Sequence, residues 1–311
     1  MLPRQMEYLV ALAREAHFGR AAQACHVSQP ALSAGISKLE SELRVQIVQR
    51  GQRFAGFTAE GVEVLAWAQR MLAEQDRMHQ QLSTMRGELT GVLRIGAIPT
   101  ALTAASMVTT PMHERHPMVR FALDSMSSRE ITTRLNDFDL DIGMTYVDGD
   151  PLGRVRVVPL YRERYLFLTP RDGEFGNYDT VTWVDAARAP LSLLGSVMQN
   201  RRIIDGCFAE VGAHVVPVVE TDTVSAIYAH VESMGLSSII PHAWLHSFEV
   251  PHGARIIPLP QPRRSFHVGL VLAGREPQSM LGTALVDTVA ELDIEGQLAR
   301  AVAIRLEELG S

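Results

Sequence analysis

Hydrophobic positions recur at helical spacing through about the first 86 residues, then give way near residue 92 to short apolar runs separated by helical stretches. Met6, Leu9, Val10 and Ala13, with Phe18, make the apolar side of an opening helix. Ala21, Ala22 and Ala24 mark a second, short helix over residues 20–25, small enough to be crossed closely by a third. After a turn at His26 and Val27, Ser28 is a natural N-cap and Pro30 falls in a first turn, where a missing N–H costs nothing. Leu32, Ile36, Leu39 and Leu43 then predict one buried stripe, leaving Gln29, Ser33, Ser37 and Lys38 on a polar opposite face. Two helices joined by a tight turn, the second with short hydrogen-bonding side chains near its start, fit a helix-turn-helix with a recognition helix. Spacing alone fits an ordinary helical hairpin equally well.

The pattern continues with one long helix over residues 60–86. Val64, Met71, Met78 and Met85 repeat every seven residues beside Leu65, Ala68, Leu72 and Leu82, so the helix predicts a partner helix. Residues 87–91, "GELTG", read as a hinge. Beyond it "VLRIGAIP", "VRFALDS" and "LDIGMTY" are strands, with helices over residues 101–116 and 130–138 between them, which predicts a parallel α/β sheet. "RYLFLTP", "LSLLG", "VVPVVETD", "SSIIP" and "SFHVGLVLA" extend the strand set, a helix runs to Met234, and a terminal helix starts near Met280.

Charge places the chemistry. Residues 1–58 hold seven basic against four acidic side chains, a balance of plus three, while the whole chain is at −6. A polyanion partner therefore belongs to the N-terminus. Arg50 and Arg53 flank Gly51 on a turn that reads as a wing beside the helices, suited to phosphates or a narrow minor groove. Lys38 is the sole lysine of the chain.

The two cysteines, Cys25 and Cys207, lack metal-ligand spacing and read as buried thiols. His113 with His116, and His242 with His246, have no third ligand at a motif spacing. No nucleophile elbow or phosphate loop occurs, and "RIGAIPT" lacks the glycines of a dinucleotide fingerprint. An enzyme, a resident metal and a cofactor are therefore not expected. The opening Met1-Leu2-Pro3-Arg4 leads directly into an amphipathic helix and no apolar run could span a bilayer, so the expected location is the cytoplasm.

The stretch "FGRAAQACHVSQPALSAGISKLESEL", with Arg50, Arg53 and then Phe57-Thr58 and Gly61, resembles the winged helix-turn-helix of LysR-type transcriptional regulators. Ala34 and Gly35 depart from it where members often carry longer side chains, Val48 replaces a usual Phe, and Gly56 a frequent wing Arg. The resemblance implies a DNA-binding domain over residues 1–58, a dimerising linker helix over 59–86, a hinge over 87–91 and an effector domain over 92–311. It implies that the effector domain is two Rossmann-like subdomains of the periplasmic-binding-protein type. The first would hold about residues 92–162 and 267–311, the second about 163–266.

It further implies a homodimer or homotetramer on double-stranded operator DNA. Ser28, Gln29, Pro30, Ser33 and Lys38 would meet the DNA, and Arg50 and Arg53 would reach the minor groove. A small anion or short carboxylate would sit in the cleft against Thr100, Ser127, Ser128, Thr145, Gln199, Asn200 and Thr221. Taken singly, each of these hydroxyls is as well read as a helix cap. The opening residues are similar to a subgroup associated with formate dehydrogenase genes, which makes formate a candidate effector. Peroxide sensors of the family use a cysteine pair. Cys207 lies near one such position, and Met198 stands about where its partner would be. A redox-responsive regulator and a free-standing solute-binding protein are the alternatives.

Overall fold

The computed structural model describes residues 3–49, 54–85, 88–149, 151–260, 266–274 and 278–310, and the chain divides into two compact units, the first running to Glu88 and counting Asn136–Asp139 with it, the second holding the rest from Leu89. The first unit holds α1 (Pro3–Glu15), α2 (Phe18–Ala24), α3 (Gln29–Leu43) and α4 (Ala59–Met85). Leu12 of α1 packs with Ala21 and Ala22 of α2 and with Leu32 and Ile36 of α3, while Met6, Leu9 and Leu39 close a second cluster against Ile47 and Ala68.

The helix α2 starts two residues before the expected position because His17 caps it, its Nδ1 accepting the N–H groups of Gly19 at 3.0 Å and Arg20 at 3.3 Å. Leu43, expected in the buried stripe of α3, is 37% exposed. The chain leaves the helix at Arg44 in the left-handed region, φ 55°. Glu40 Oε1 then accepts the N–H groups of Ile47 (2.8 Å) and Val48 (3.0 Å), which draws Ile47 into the core in place of Leu43. Val48 and Phe57 form an antiparallel bridge, the base of the wing; Arg50 and Arg53 lie outside the described residues.

On α4 one stripe is already engaged within its own unit: Ala68 is buried, and Val64, Leu65 and Leu72 pack on the cluster around Met6 and Leu9. Trp67, Met71, Met78, Leu82 and Met85 are exposed on the same helix.

The second unit is built on two similar sheets. The first contains β1 (Gly91–Ala97), β2 (Val119–Ser125), β3 (Ile142–Tyr146), β4 (Val155–Arg162) and β10 (His267–Ala273) in the order β2-β1-β3-β10-β4, with β10 antiparallel to its neighbours β3 and β4. The second has β5 (Tyr165–Pro170) between β8 (Ser238–Pro241) and β9 (Ala254–Pro258), antiparallel to both. A parallel bridge from Leu191 to Ser237 adds the pair β6 (Ser192–Leu194) and β7 (Val219–Thr221), completing the order β7-β6-β8-β5-β9. The chain passes from the first sheet to the second through residues 163–164, between β4 and β5, and β10, which follows β9 in sequence, lies in the first sheet again.

Helices cover both sheets: α5 (Pro99–Leu102), α6 (Ser106–Arg115), α7 (Ser128–Asn136) and α11 (Met280–Val289) belong to the first; α8 (Trp183–Ala186), α9 (Gln199–Glu210) and α10 (Val224–Met234) to the second. Alternation along β5 explains its two sides: Phe167 faces the core that holds Phe175 and Phe208, whereas Leu166 and Leu168 join Ile227, Val231 and Trp244.

Several boundaries differ from expectation. The helix foreseen over residues 101–116 is two, because Ala104, Ala105 and Met107 make tight i→i+3 bonds to Ala101, Leu102 and Ala104. The helix foreseen over 130–138 starts at Ser128, capped by Ser127. Strands β4 and β9 were not foreseen, and of "VVPVVETD" only Val219–Thr221 is strand, since Pro217 brings no donor. The terminal helix breaks before α12 (Ile294–Gly310), where Asp293 accepts the N–H of Gly296 at 2.8 Å. Val302 and Leu306 of α12 pack on the core of the second sheet, so the helix expected in the first lobe covers the second.

Candidate functional site

The face of α3 that the sequence assigns to DNA is exposed. Ser28 caps the helix, its Oγ accepting the N–H of Ala31 at 3.3 Å, and Pro30 lies in the first turn. Gln29, Pro30, Ser33 and Lys38 are exposed together with Ser28. Gly35 is not part of that face. Its Cα lies over the Tyr8 ring of α1, so its missing side chain serves helix packing and not base readout.

In the second unit the foreseen effector residues fall into three sets. Thr145, next to last in β3, donates to Ser128 Oγ at 2.9 Å, so those two buried hydroxyls satisfy one another. Ser127 and Thr221 make local caps: Ser127 Oγ accepts the N–H of Glu130 at 3.2 Å, and Thr221 Oγ1 that of Thr223 at 3.3 Å. Thr100, Gln199 and Asn200 are buried at the starts of α5 and α9. Gln199 Nε2 donates to the Asp148 carbonyl at 3.3 Å, and Asn200 Nδ2 to the Tyr146 hydroxyl at 3.1 Å.

Tyr146 leads to the residue the sequence concealed. Its hydroxyl donates to Glu163 Oε1, which also accepts the Tyr165 hydroxyl at 2.8 Å. Glu163 lies on the crossing from the first sheet to the second, 2% exposed, and its N–H donates to the Phe266 carbonyl, just before β10, at 2.8 Å. Among the described residues, its Oε2, the Tyr161 hydroxyl, Thr100 Oγ1 and Gln199 Oε1 are buried with no hydrogen-bond partner. Burial pushes the Glu163 carboxyl up to about 7, against the opposing pull of the Tyr146 and Tyr165 hydrogen bonds and of the nearby Asn200 amide. Flanked by Arg162 and Arg164, Glu163 reads in the sequence as one member of a solvated charge run, which is why it was missed.

A cavity of about 560 Å³ opens between Pro99, Leu102 and Thr103 on the first lobe and Thr223, Val224 and Phe248 on the second; Thr100 is not in its lining. No charged side chain lines it among the described residues. Cys207, in α9, is buried, and burial with the nearby Glu210 pushes its thiol up to about 12. Among the described residues no three His, Cys, Asp or Glu stand close enough to hold a metal ion, and no helix is long and apolar enough to cross a membrane.

A helix-turn-helix with a bridged wing, a long amphipathic helix and a two-lobed α/β unit with a polar cleft define a ligand-responsive DNA-binding class. Residues 3–62 match the family described as bacterial regulatory helix-turn-helix protein, lysR family, and residues 86–293 that described as LysR substrate binding domain. The chain belongs to the LysR-type transcriptional regulators.

It is 33% identical over 192 residues to the DNA-binding transcriptional dual regulator OxyR of Escherichia coli K12, a match spanning 61% of this chain and 63% of that protein. It is 28% identical over 297 residues to the hydrogen peroxide-inducible genes activator of Dickeya chrysanthemi, across 93% of this chain and 94% of that one. These relatives are regulators, not enzymes.

A full-length cysteine-to-aspartate variant of OxyR from Pseudomonas aeruginosa shares the fold with a TM-score of 0.72 at 24% identity, covering 94% of this chain and 99% of that one. CbnR in complex with its target DNA does so at 0.66 and 20% identity, covering 93% and 99%.

Proposed function

We propose that this chain regulates transcription by binding duplex operator DNA as a homo-oligomer, its affinity set by a small molecule in the cleft of the second unit. The observation that carries this reading is the exposed polar face of α3, held rigid by the Ser28 cap, on a segment with a balance of plus three in a chain at −6. Lys38 supplies a phosphate contact on that face, and Gln29, Pro30 and Ser33 meet base edges. Arg50 and Arg53 of the wing add contacts in or near the minor groove. Selection from random duplex DNA is expected to recover an interrupted palindrome, and Lys38→Ala to lower the salt slope of binding by about one. Absence of selected duplex binding by the full-length chain would overturn the regulator reading.

Oligomerisation rests on the exposed Met71, Met78 and Met85 stripe of α4. The hinge at residues 87–91 would carry a change in the cleft to the helix pair. The domain limits read from the sequence, 1–58, 59–86 and 92–311, are kept with α12 reassigned to the second lobe. The chain's cytoplasmic location is part of the same reading.

A small anion, formate included, is the effector class read from the sequence. The Dickeya chrysanthemi relative is named for hydrogen peroxide-inducible genes, and neither it nor the Escherichia coli regulator lends support to the formate dehydrogenase subgroup. A buried carboxyl group bonded by Tyr146 and Tyr165 and close to Asn200 also disfavours an anion there. The relatives' names favour a second reading, a redox-responsive regulator. Against it stands the Cys207 thiol, held near 12 and so almost wholly protonated at neutral pH, whereas the thiolate is the reactive form.

A further inference from the structure

We propose that the effector of this chain presents hydrogen-bond donors and carries no negative charge, and that Glu163 imposes this preference. The inference rests on the cleft reading above and names the class of ligand that the cleft takes.

The unpartnered polar atoms are unequal in kind. Gln199 Oε1 only accepts, Glu163 Oε2 only accepts once its carboxyl is ionised, as at pH 8, and the Tyr161 and Thr100 hydroxyls can do either, so above neutral pH the set is short of donors. Leaving such atoms buried and unpaired is unfavourable, more so for a charged one, and a ligand that donates to them relieves it. They are connected: Thr100 lies within interaction range of the Tyr146 hydroxyl, Tyr146 and Tyr165 both bond Glu163, and Tyr161 feels its charge.

The groups facing Glu163 come from every surrounding element: Tyr146 from β3, Tyr161 from β4, Tyr165 from β5 and Asn200 from α9. None of these is a cation. The neighbouring Arg164 reaches toward Glu295 at 3.9 Å, and His242, against Tyr161, is held neutral by burial with its pKa lowered to about 4. An incoming anion would therefore meet a carboxylate and acceptors with no compensating charge.

The adjoining cavity gives independent support. Its lining is apolar residues and hydroxyls without a charged side chain, so it too offers an anion no counter-ion. Thr100 follows Pro99 of that wall directly in the chain and interacts with the Tyr146 hydroxyl, so one short helix carries both the cavity wall and the edge of the Tyr146–Glu163 cluster. Because Glu163 sits on the crossing between lobes, a ligand that engages it favours one lobe arrangement over another.

Three probes of one shape separate the possibilities: benzamidinium, benzamide and benzoate, with formate as the smallest anion. Calorimetric titration and thermal unfolding of the full-length chain, at pH 8 and matched ionic strength, are the measurements. Benzamidinium and benzamide are expected to bind at least about tenfold more tightly than benzoate, a difference of about 1.4 kcal/mol. Glu163→Gln should collapse the benzamidinium preference, and Tyr161→Phe should weaken both donors while keeping their order; circular dichroism checks that both variants fold. Benzoate or formate binding as tightly as the donors, an unchanged order in Glu163→Gln, or no binding by any probe would overturn the proposal. Operator binding measured on the same preparation separates these results from a failure of the regulator reading.

Discussion

The Tyr8 ring of α1 lies so close beneath Gly35 of α3 that a Cβ added there would stand 2.6 Å from Tyr8 Cδ2. The contact lets α3 pack tightly on α1 while its opposite face, with Gln29, Ser33 and Lys38, stays exposed. Tyr8 is itself buried and cannot swing away without opening the core. Gly35→Ala is therefore expected to destabilise the first unit by about 1–3 kcal/mol, although alanine is the better helix former. Chemical unfolding followed through the helical signal checks it; a variant as stable as the parent would show that α1 yields without cost.

The two apolar stripes of α4 separate folding from assembly. Leu72 packs on the cluster of Met6, Leu9 and Ala68, whereas Met78 is 51% exposed. Met78→Asp should leave the unfolding midpoint nearly unchanged yet give a smaller particle in light scattering, because a charge must be desolvated to keep a helix pair there. Leu72→Asp should lower the midpoint first. Parental mass for Met78→Asp would place the oligomer contact elsewhere.

Cys207 offers a test of the redox reading. With its thiol held near 12, alkylation of the native protein at pH 7.5 should proceed at Cys25, the half-buried cysteine, well ahead of Cys207. Mass spectrometry of the alkylated chain reports the order. Cys207→Ala should leave operator affinity insensitive to peroxide, as in the parent. Rapid modification of Cys207, or a peroxide response lost in Cys207→Ala, would restore the redox reading.

The helix-turn-helix was legible because its signals are local. Small residues at Ala21 and Ala22, a cap at Ser28 and a proline at Pro30 act within a few positions of one another. The α/β alternation was legible for the same reason. What escaped depends on contacts distant in sequence. Strands β4 and β9 take their places from pairing with β10 and β5, and α12 finds the second lobe only through the packing of Val302 and Leu306. Of the cleft residues, hydroxyls at strand ends were found, yet Ser127 and Thr221 cap their own turns. Glu163 escaped because its three tyrosines and Asn200 come from three strands and a helix that no local pattern brings together.

Glu163 and His242 oppose each other in acid. Burial raises the Glu163 carboxyl from 4.5 to about 7, so between those values the folded chain holds a proton that the unfolded chain has released. Its contribution to stability therefore falls as pH rises through that window. Burial lowers His242 from 6.5 to about 4, so there the unfolded chain binds the extra proton and stability falls as pH drops. Each effect is on the order of 3 kcal/mol across its window, and the two nearly cancel between about pH 4.5 and 6.5. Glu163→Gln, which mimics the protonated carboxyl, should remove one side of the balance. Relative to the parent its stability should rise by about 3 kcal/mol from pH 4.5 to pH 7 and stay level above that, while on its own it should lose stability on acidification below 6.5. Scanning calorimetry of both proteins across this range is the measurement, and the difference between them removes surface groups common to both. A difference independent of pH would mean that Glu163 titrates as an ordinary solvated carboxylate and that its burial among Tyr146, Tyr161 and Tyr165 does not hold in solution.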